Sequence, residues 1–203
     1  MVIEKEKVLD EFKKKYVEGR FYEESHNIYE KFKSKKSSIK KDIISAFKQG
    51  CRGTLKSQNK GVKGDIKYIY ISYSKTGVKE NKTTYRIDYF DDRWFMDKEE
   101  CAANFDMGFV YKPLFKHMEE LKKKVKEYGC TITEVDIENI KLNESVNYNK
   151  IAVNILDSIK DEFMVCDEYK KMKKNDKIKI FAGEYKGLVK VLYENSPLEI
   201  ELR

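Results

Sequence analysis

The stretch YRIDYFDDRWFMDKEE holds six carboxylates, Asp88, Asp91, Asp92, Asp97, Glu99 and Glu100. Hard divalent cations are held by a few converging oxygens, and metal nucleases hang such carboxylates from adjacent strands. Those enzymes also place a lysine two positions after an acid near a strand end, a spacing that Asp65-Ile66-Lys67 reproduces. One reading is therefore a metal-dependent enzyme using the carboxylates from 88 to 100. Against it, Asp91-Asp92-Arg93 reads more simply as a polar turn between two β segments, and the spacing matches no complete metal motif.

Other chemistry has fewer candidates. The two histidines, His26 and His117, fall on predicted helices and read as surface residues. General-base catalysis calls on a histidine or a tuned carboxylate, and neither histidine has a distinctive nucleophile beside it in sequence. Cys51, Cys101, Cys130 and Cys166 are single and widely spaced, without the paired ligands of a structural zinc site. They read as reduced thiols packed as small hydrophobes in a cytoplasmic protein. No phosphate-binding loop, dinucleotide fingerprint or zinc-protease motif is present. The sequence assigns no catalytic residue, no metal and no cofactor.

Charge carries the strongest signal. Between Lys31 and Lys63 there are eleven Lys or Arg and one acid, Asp42, whereas the whole chain has a net charge of +7. Such a density of cations repels itself unless spread or neutralised, and a polyanion neutralises it while releasing its own counterions. The phosphate-contact set is Lys33, Lys35, Lys36, Lys40, Lys41, Arg52, Lys56, Lys60 and Lys63. It is mostly lysine, a point charge suited to backbone contact, whereas arginine forks onto base edges. The competing reading is a solvated face, or one paired with acids elsewhere, those from Asp88 to Glu100 included.

Aromatic residues supply a second surface. Tyr68 and Tyr70 on one strand, and Tyr85 and Tyr89 on the next, could stack unpaired bases or form a protein interface. Both faces of the first strand are apolar, a pattern of strands covered on both sides. The signature of RNA-binding sheets is missing.

These groups have to be positioned by secondary structure. Val8, Leu9, Phe12 and Tyr16 predict a helix over 3–18, broken at Gly19. Phe21, Tyr22, Ile28, Tyr29 and Phe32 predict a second over 21–34. A third, capped by Ser37 or Ser38, buries Ile39, Ile43, Ile44 and Phe47 and stops at Gly50. Residues 51–64, with three glycines and no acid, read as an exposed basic loop. A β-hairpin follows over 65–91, then a short strand and a short helix. Pro113 suits the first turn of a helix ended by Gly129. CTITEVDI alternates as a strand does, and Ser145 caps a last helix carrying Ile151, Ile155, Ile159 and Phe163. The tail reads as two or three antiparallel strands.

Within that tail, residues 177–192 carry Ile178, Ile180, Gly183, Tyr185, Lys186 and Gly187. The segment resembles a KOW motif, the β-turn-β element of several ribosomal proteins and transcription factors. The resemblance implies a small SH3-like β unit.

The fold class expected is α+β, with a helical region over 1–50, the basic loop 51–64 and an α+β region over 65–203. No apolar run is long enough to cross a bilayer, and the charged N-terminus is not a secretory signal. The function expected is non-catalytic contact with nucleic acid through phosphates. The alternative is a protein-interaction module, an inhibitor or a regulatory subunit, using the Tyr-rich hairpin.

Overall fold

The computed structural model describes residues 2–195, with side chains from Glu4 onward. In chain order the elements are α1 (Val2–Tyr16), α2 (Arg20–Ser34), α3 (Lys36–Asn59), β1 (Ile66–Tyr73), α4 (Lys75–Lys79) and β2 (Thr84–Phe90). A 3₁₀ turn at Trp94–Met96 leads to β3 (Ala102–Asp106), α5 (Gly108–Val125), a second 3₁₀ turn at Lys126–Tyr128, and α6 (Glu134–Asp157). The described chain ends with α7 (Lys160–Val165), α8 (Asp167–Lys171), β4 (Lys174–Glu184) and β5 (Val189–Glu194). A third tail strand, if formed, would fall on residues 196–203, outside the described residues. The fold is α+β, as the sequence predicts.

The chain forms two compact units. One comprises Met1–Lys36, Lys75–Thr83 and Met107–Ala152; the other comprises Ser37–Ser74, Thr84–Asp106 and Val153–Arg203. Residues 51–64 lie within the second unit.

The first unit is helical. Gly19 takes a left-handed conformation, φ +85°, at the predicted break between α1 and α2. Phe12, Ile28, Phe32, Tyr111, Leu114 and Tyr148 are buried in its core. His117, read as a surface residue, is buried on α5, with Nε2 2.9 Å from the Tyr16 carbonyl. A carbonyl only accepts, so Nε2 carries the proton and caps an orphan oxygen at the end of α1. Burial lowers the His117 pKa below its ordinary value. Pro113 lies inside α5 rather than in its first turn.

The predicted strand at CTITEVDI is instead the start of α6. Thr133 Oγ1 accepts from the Asp136 amide at 3.3 Å, while Asp136 Oδ2 accepts from the Thr133 amide at 2.8 Å. This reciprocal pair satisfies free amide groups at the helix entry. Ser145 then sits in mid-helix, its hydroxyl donating to the Leu142 carbonyl at 2.7 Å.

The second unit is built on a five-stranded sheet of order β3-β2-β1-β4-β5. Neighbours run antiparallel except β1 and β4, which are parallel with Ile69 opposite Ile180. Strand alternation puts Ile69, Ile71 and Tyr73 on one face with Ile87 and Tyr89, and Tyr68 and Tyr70 on the other with Phe90. The KOW-like segment forms β4 and β5 of this sheet, so the implied separate SH3-like unit is not formed.

Helix α3 covers the first face. It does not stop at Gly50 but runs to Asn59, so most of the expected basic loop is helical. Ile43, Phe47, Gly50, Cys51, Thr54 and Gln58 form its buried stripe, at three- and four-residue spacing. Phe47 stacks on Phe163 of α7 with ring centroids 4.4 Å apart, and Tyr89 donates to the Phe47 carbonyl at 2.7 Å. Gln58 ends the stripe by donating to the carbonyls of Gly64 and Lys173, both at 2.9 Å, and accepting from the Lys173 amide at 3.0 Å.

Candidate nucleic-acid interface

Opposite its buried stripe, α3 presents Lys41, Lys48, Arg52 and Lys56, with Lys60 directly after its last turn. At 100° per residue the first four fall within one narrow sector of the helix. The ridge they form is about 22 Å long, enough to face about six phosphates of one duplex strand. Glu168 on α8 partly neutralises it. Its carboxylate meets Arg52 at 2.7 Å and Lys48 at 3.9 Å. Among the described residues, Lys41, Lys56 and Lys60 are exposed and have no carboxylate partner.

The remaining members of the phosphate-contact set divide differently. Lys33 and Lys35 belong to the first unit, with Lys33 paired to Glu30 at 2.7 Å and Lys35 exposed. Lys36, also exposed, opens α3. Lys40 is half-buried and paired with Glu162. Lys63 is a correction. Its side chain is 1% exposed, and its ammonium meets Asp97 at 2.5 Å and the Glu99 carbonyl at 2.6 Å. A phosphate cannot reach it.

That ion pair accounts for one member of the acidic cluster, Asp97. Asp97 also accepts from the Asp91 amide at 3.2 Å and from the Arg93 guanidinium at 3.2 Å. Asp91 takes the Gly64 amide at 3.3 Å, the Arg93 amide at 3.0 Å, and the Arg93 guanidinium, which holds its carboxyl below the usual range. Glu99 accepts from Ser57 at 2.8 Å, and Glu100 from Arg86 at 2.7 Å. Asp88 accepts from Arg86 at 2.6 Å through one oxygen. Its other oxygen is buried without a partner among the described residues, and burial pushes its pKa up. Among the described residues, no three acidic, histidine or cysteine side chains converge as metal ligands would. Asp91, Asp97 and Glu99 instead pin residues 91–99 against the end of α3, through Gly64, Lys63 and Ser57.

The pinned segment carries an unusual residue. Trp94 sits in the left-handed region at φ +57°, which costs a bulky L residue about 1–2 kcal/mol. That conformation goes with an indole edge-on against Tyr68, centroids 4.0 Å apart, and close to Phe90 and Phe181 at 5.6 and 5.7 Å. Phe95 and Tyr185 extend the cluster outward, 5.8 Å apart and nearly perpendicular. They are 36% and 40% exposed.

The four tyrosines named from sequence fare unevenly. Tyr85 and Tyr89 are buried on the α3 side, with Tyr89 against Phe47. Tyr70 is buried on the other side, its hydroxyl donating to the Glu184 carbonyl and accepting from the Lys186 amide at 3.1 Å. Only Tyr68 stays half-exposed. Accessible rings on that face come instead from Phe95 and Tyr185, neither of which the sequence reading considered for stacking because both lie outside the 65–91 hairpin. Three of the four cysteines are buried, with Cys130 the exposed one. No helix among the described residues is long and apolar enough to cross a membrane. No family model, curated protein or solved structure matches the chain, so its function rests on this chemistry alone.

Proposed function

We propose that this chain is a non-catalytic binding protein that contacts nucleic acid through phosphates along the outer face of α3. The observation supporting it is the row Lys41, Lys48, Arg52, Lys56 and Lys60, set opposite the buried stripe, with Glu168 the one carboxylate ion-paired to it among the described residues. Lys41, Lys56 and Lys60 release bound counterions from a polyanion without first breaking an ion pair. Lysines contribute position rather than base discrimination, so affinity depends on salt and little on sequence.

The test is the binding of a fluorescently labelled mixed-sequence duplex between about 50 and 200 mM salt. The logarithm of affinity should fall with the logarithm of salt at a slope of about −3 to −4. Affinity that is flat across that range, or unchanged when Lys41, Lys56 and Lys60 become glutamine together, overturns the proposal.

A further inference from the structure

On the face of the second unit's sheet away from α3, six rings from Tyr68, Phe90, Trp94, Phe95, Phe181 and Tyr185 pack in edge and tilted contacts. Two lysines lie over this face. Lys186 Nζ is 5.4 Å from the Phe95 centroid and 5.5 Å from that of Tyr185, while Lys67 Nζ is 5.4 Å from that of Tyr68. Neither lysine has a carboxylate partner among the described residues.

We propose that this aromatic face is a base-stacking platform for single-stranded nucleic acid, with Phe95 and Tyr185 receiving bases and Lys67 and Lys186 receiving phosphates. Three observations select that occupant. First, partly exposed rings and ammonium groups lie within 5.5 Å of one another, and each nucleotide offers the matching pair, a flat base that can take the place of Lys186 over Phe95 or Tyr185 and an anionic linkage for the displaced ammonium. Second, an apolar protein surface docked here would take two unpaired ammonium groups out of water, whereas phosphates would neutralise them. Third, a left-handed Trp94 and its turn are held rigid by Asp91, Arg93, Asp97 and Lys63, so the rings are presented before any ligand arrives. The inference stands apart from the α3 reading, because the two surfaces lie on opposite sides of the sheet.

Trp94 is the single tryptophan of the chain and lies within the platform. Its emission therefore reports directly on a stacked base. Titration with an oligothymidylate of about ten nucleotides should quench it saturably, while inorganic polyphosphate, which has no bases, should not. Phe95→Ala and Tyr185→Ala should each weaken oligothymidylate binding by about tenfold or more, with duplex binding unchanged. Absent quenching, or an affinity that both substitutions leave as it was, overturns the platform. Duplex binding lost only in the α3 triple variant separates that reading from this one.

Discussion

Gly50 and Tyr89 occupy adjoining space so closely that a methyl group on Gly50 would lie 2.1 Å from Tyr89 Cε2. The ring is fully buried and held by its hydroxyl, so it cannot swing aside. Gly53, one turn on, has nothing within 4 Å of the same position. One substitution should therefore have opposite signs three residues apart. Gly50→Ala should lower unfolding stability by about 1–3 kcal/mol through overpacking. Gly53→Ala should raise it by about 0.5–1 kcal/mol through helix propensity. Urea denaturation of the two variants checks both.

The pair Lys63 and Asp97 is buried on both sides. Removing Lys63 leaves the buried Asp97 carboxylate with only the half-exposed Arg93 guanidinium as counterion, so Lys63→Met should cost about 3 kcal/mol. Lys63→Met with Asp97→Leu should cost clearly less than the single change. A double-mutant cycle from chemical denaturation measures the coupling.

His117 predicts a pH dependence. Its folded pKa is depressed, mainly by burial, so below the unfolded value of about 6.5 the unfolded chain binds a proton that the folded chain does not. Stability from this group is full above that pH and falls as the pH drops through it. His117→Gln keeps a donor for the Tyr16 carbonyl but cannot titrate. The difference in urea midpoint between wild type and His117→Gln should change between pH ~8 and ~5.5. Taking that difference removes the other titrating groups, such as Asp88, whose raised pKa acts in the opposite sense.

Along α3, each exposed lysine replaced by glutamine should reduce the salt slope of duplex binding by about 1. Lys63→Gln should lower stability instead, since that ammonium does not face solvent. Arg52→Gln should have a smaller effect on binding than Lys56→Gln, because Glu168 already shares the Arg52 charge. Anisotropy titrations at several salt concentrations give the binding slopes, and urea denaturation gives the Lys63→Gln stability.

Local signals in the sequence were sufficient for α1, α2, the β1 and β2 pair, α5 and the β4 and β5 hairpin. Glycine read as punctuation held at Gly19, which turns the chain, and failed at Gly50, which is small because a ring presses on it. The continuing stripe at Cys51, Thr54 and Gln58 was present but partly polar, since Gln58 is buried by hydrogen bonds rather than by apolar character. At Thr133, three-residue spacing to Asp136 was the correct helix signal, and strand-like alternation competed with it. The parallel pairing of β1 with β4 has no local signature at all. For the candidate site, lysine density was legible, but which ammonium groups already had carboxylates depended on Glu162, Glu168 and Asp97, all distant in sequence.

That parallel pairing bears on how the protein is made. Ile69 waits for Ile180, and a ribosome adding about 5–20 residues per second needs roughly 5–20 s to travel from β1 to β4. During that interval β2 can take one side of β1, while the other presents a tyrosine- and isoleucine-rich backbone edge open to any passing strand. Nascent chains halted before residue 174 should therefore coaggregate or recruit chaperones, whereas full-length chains should not.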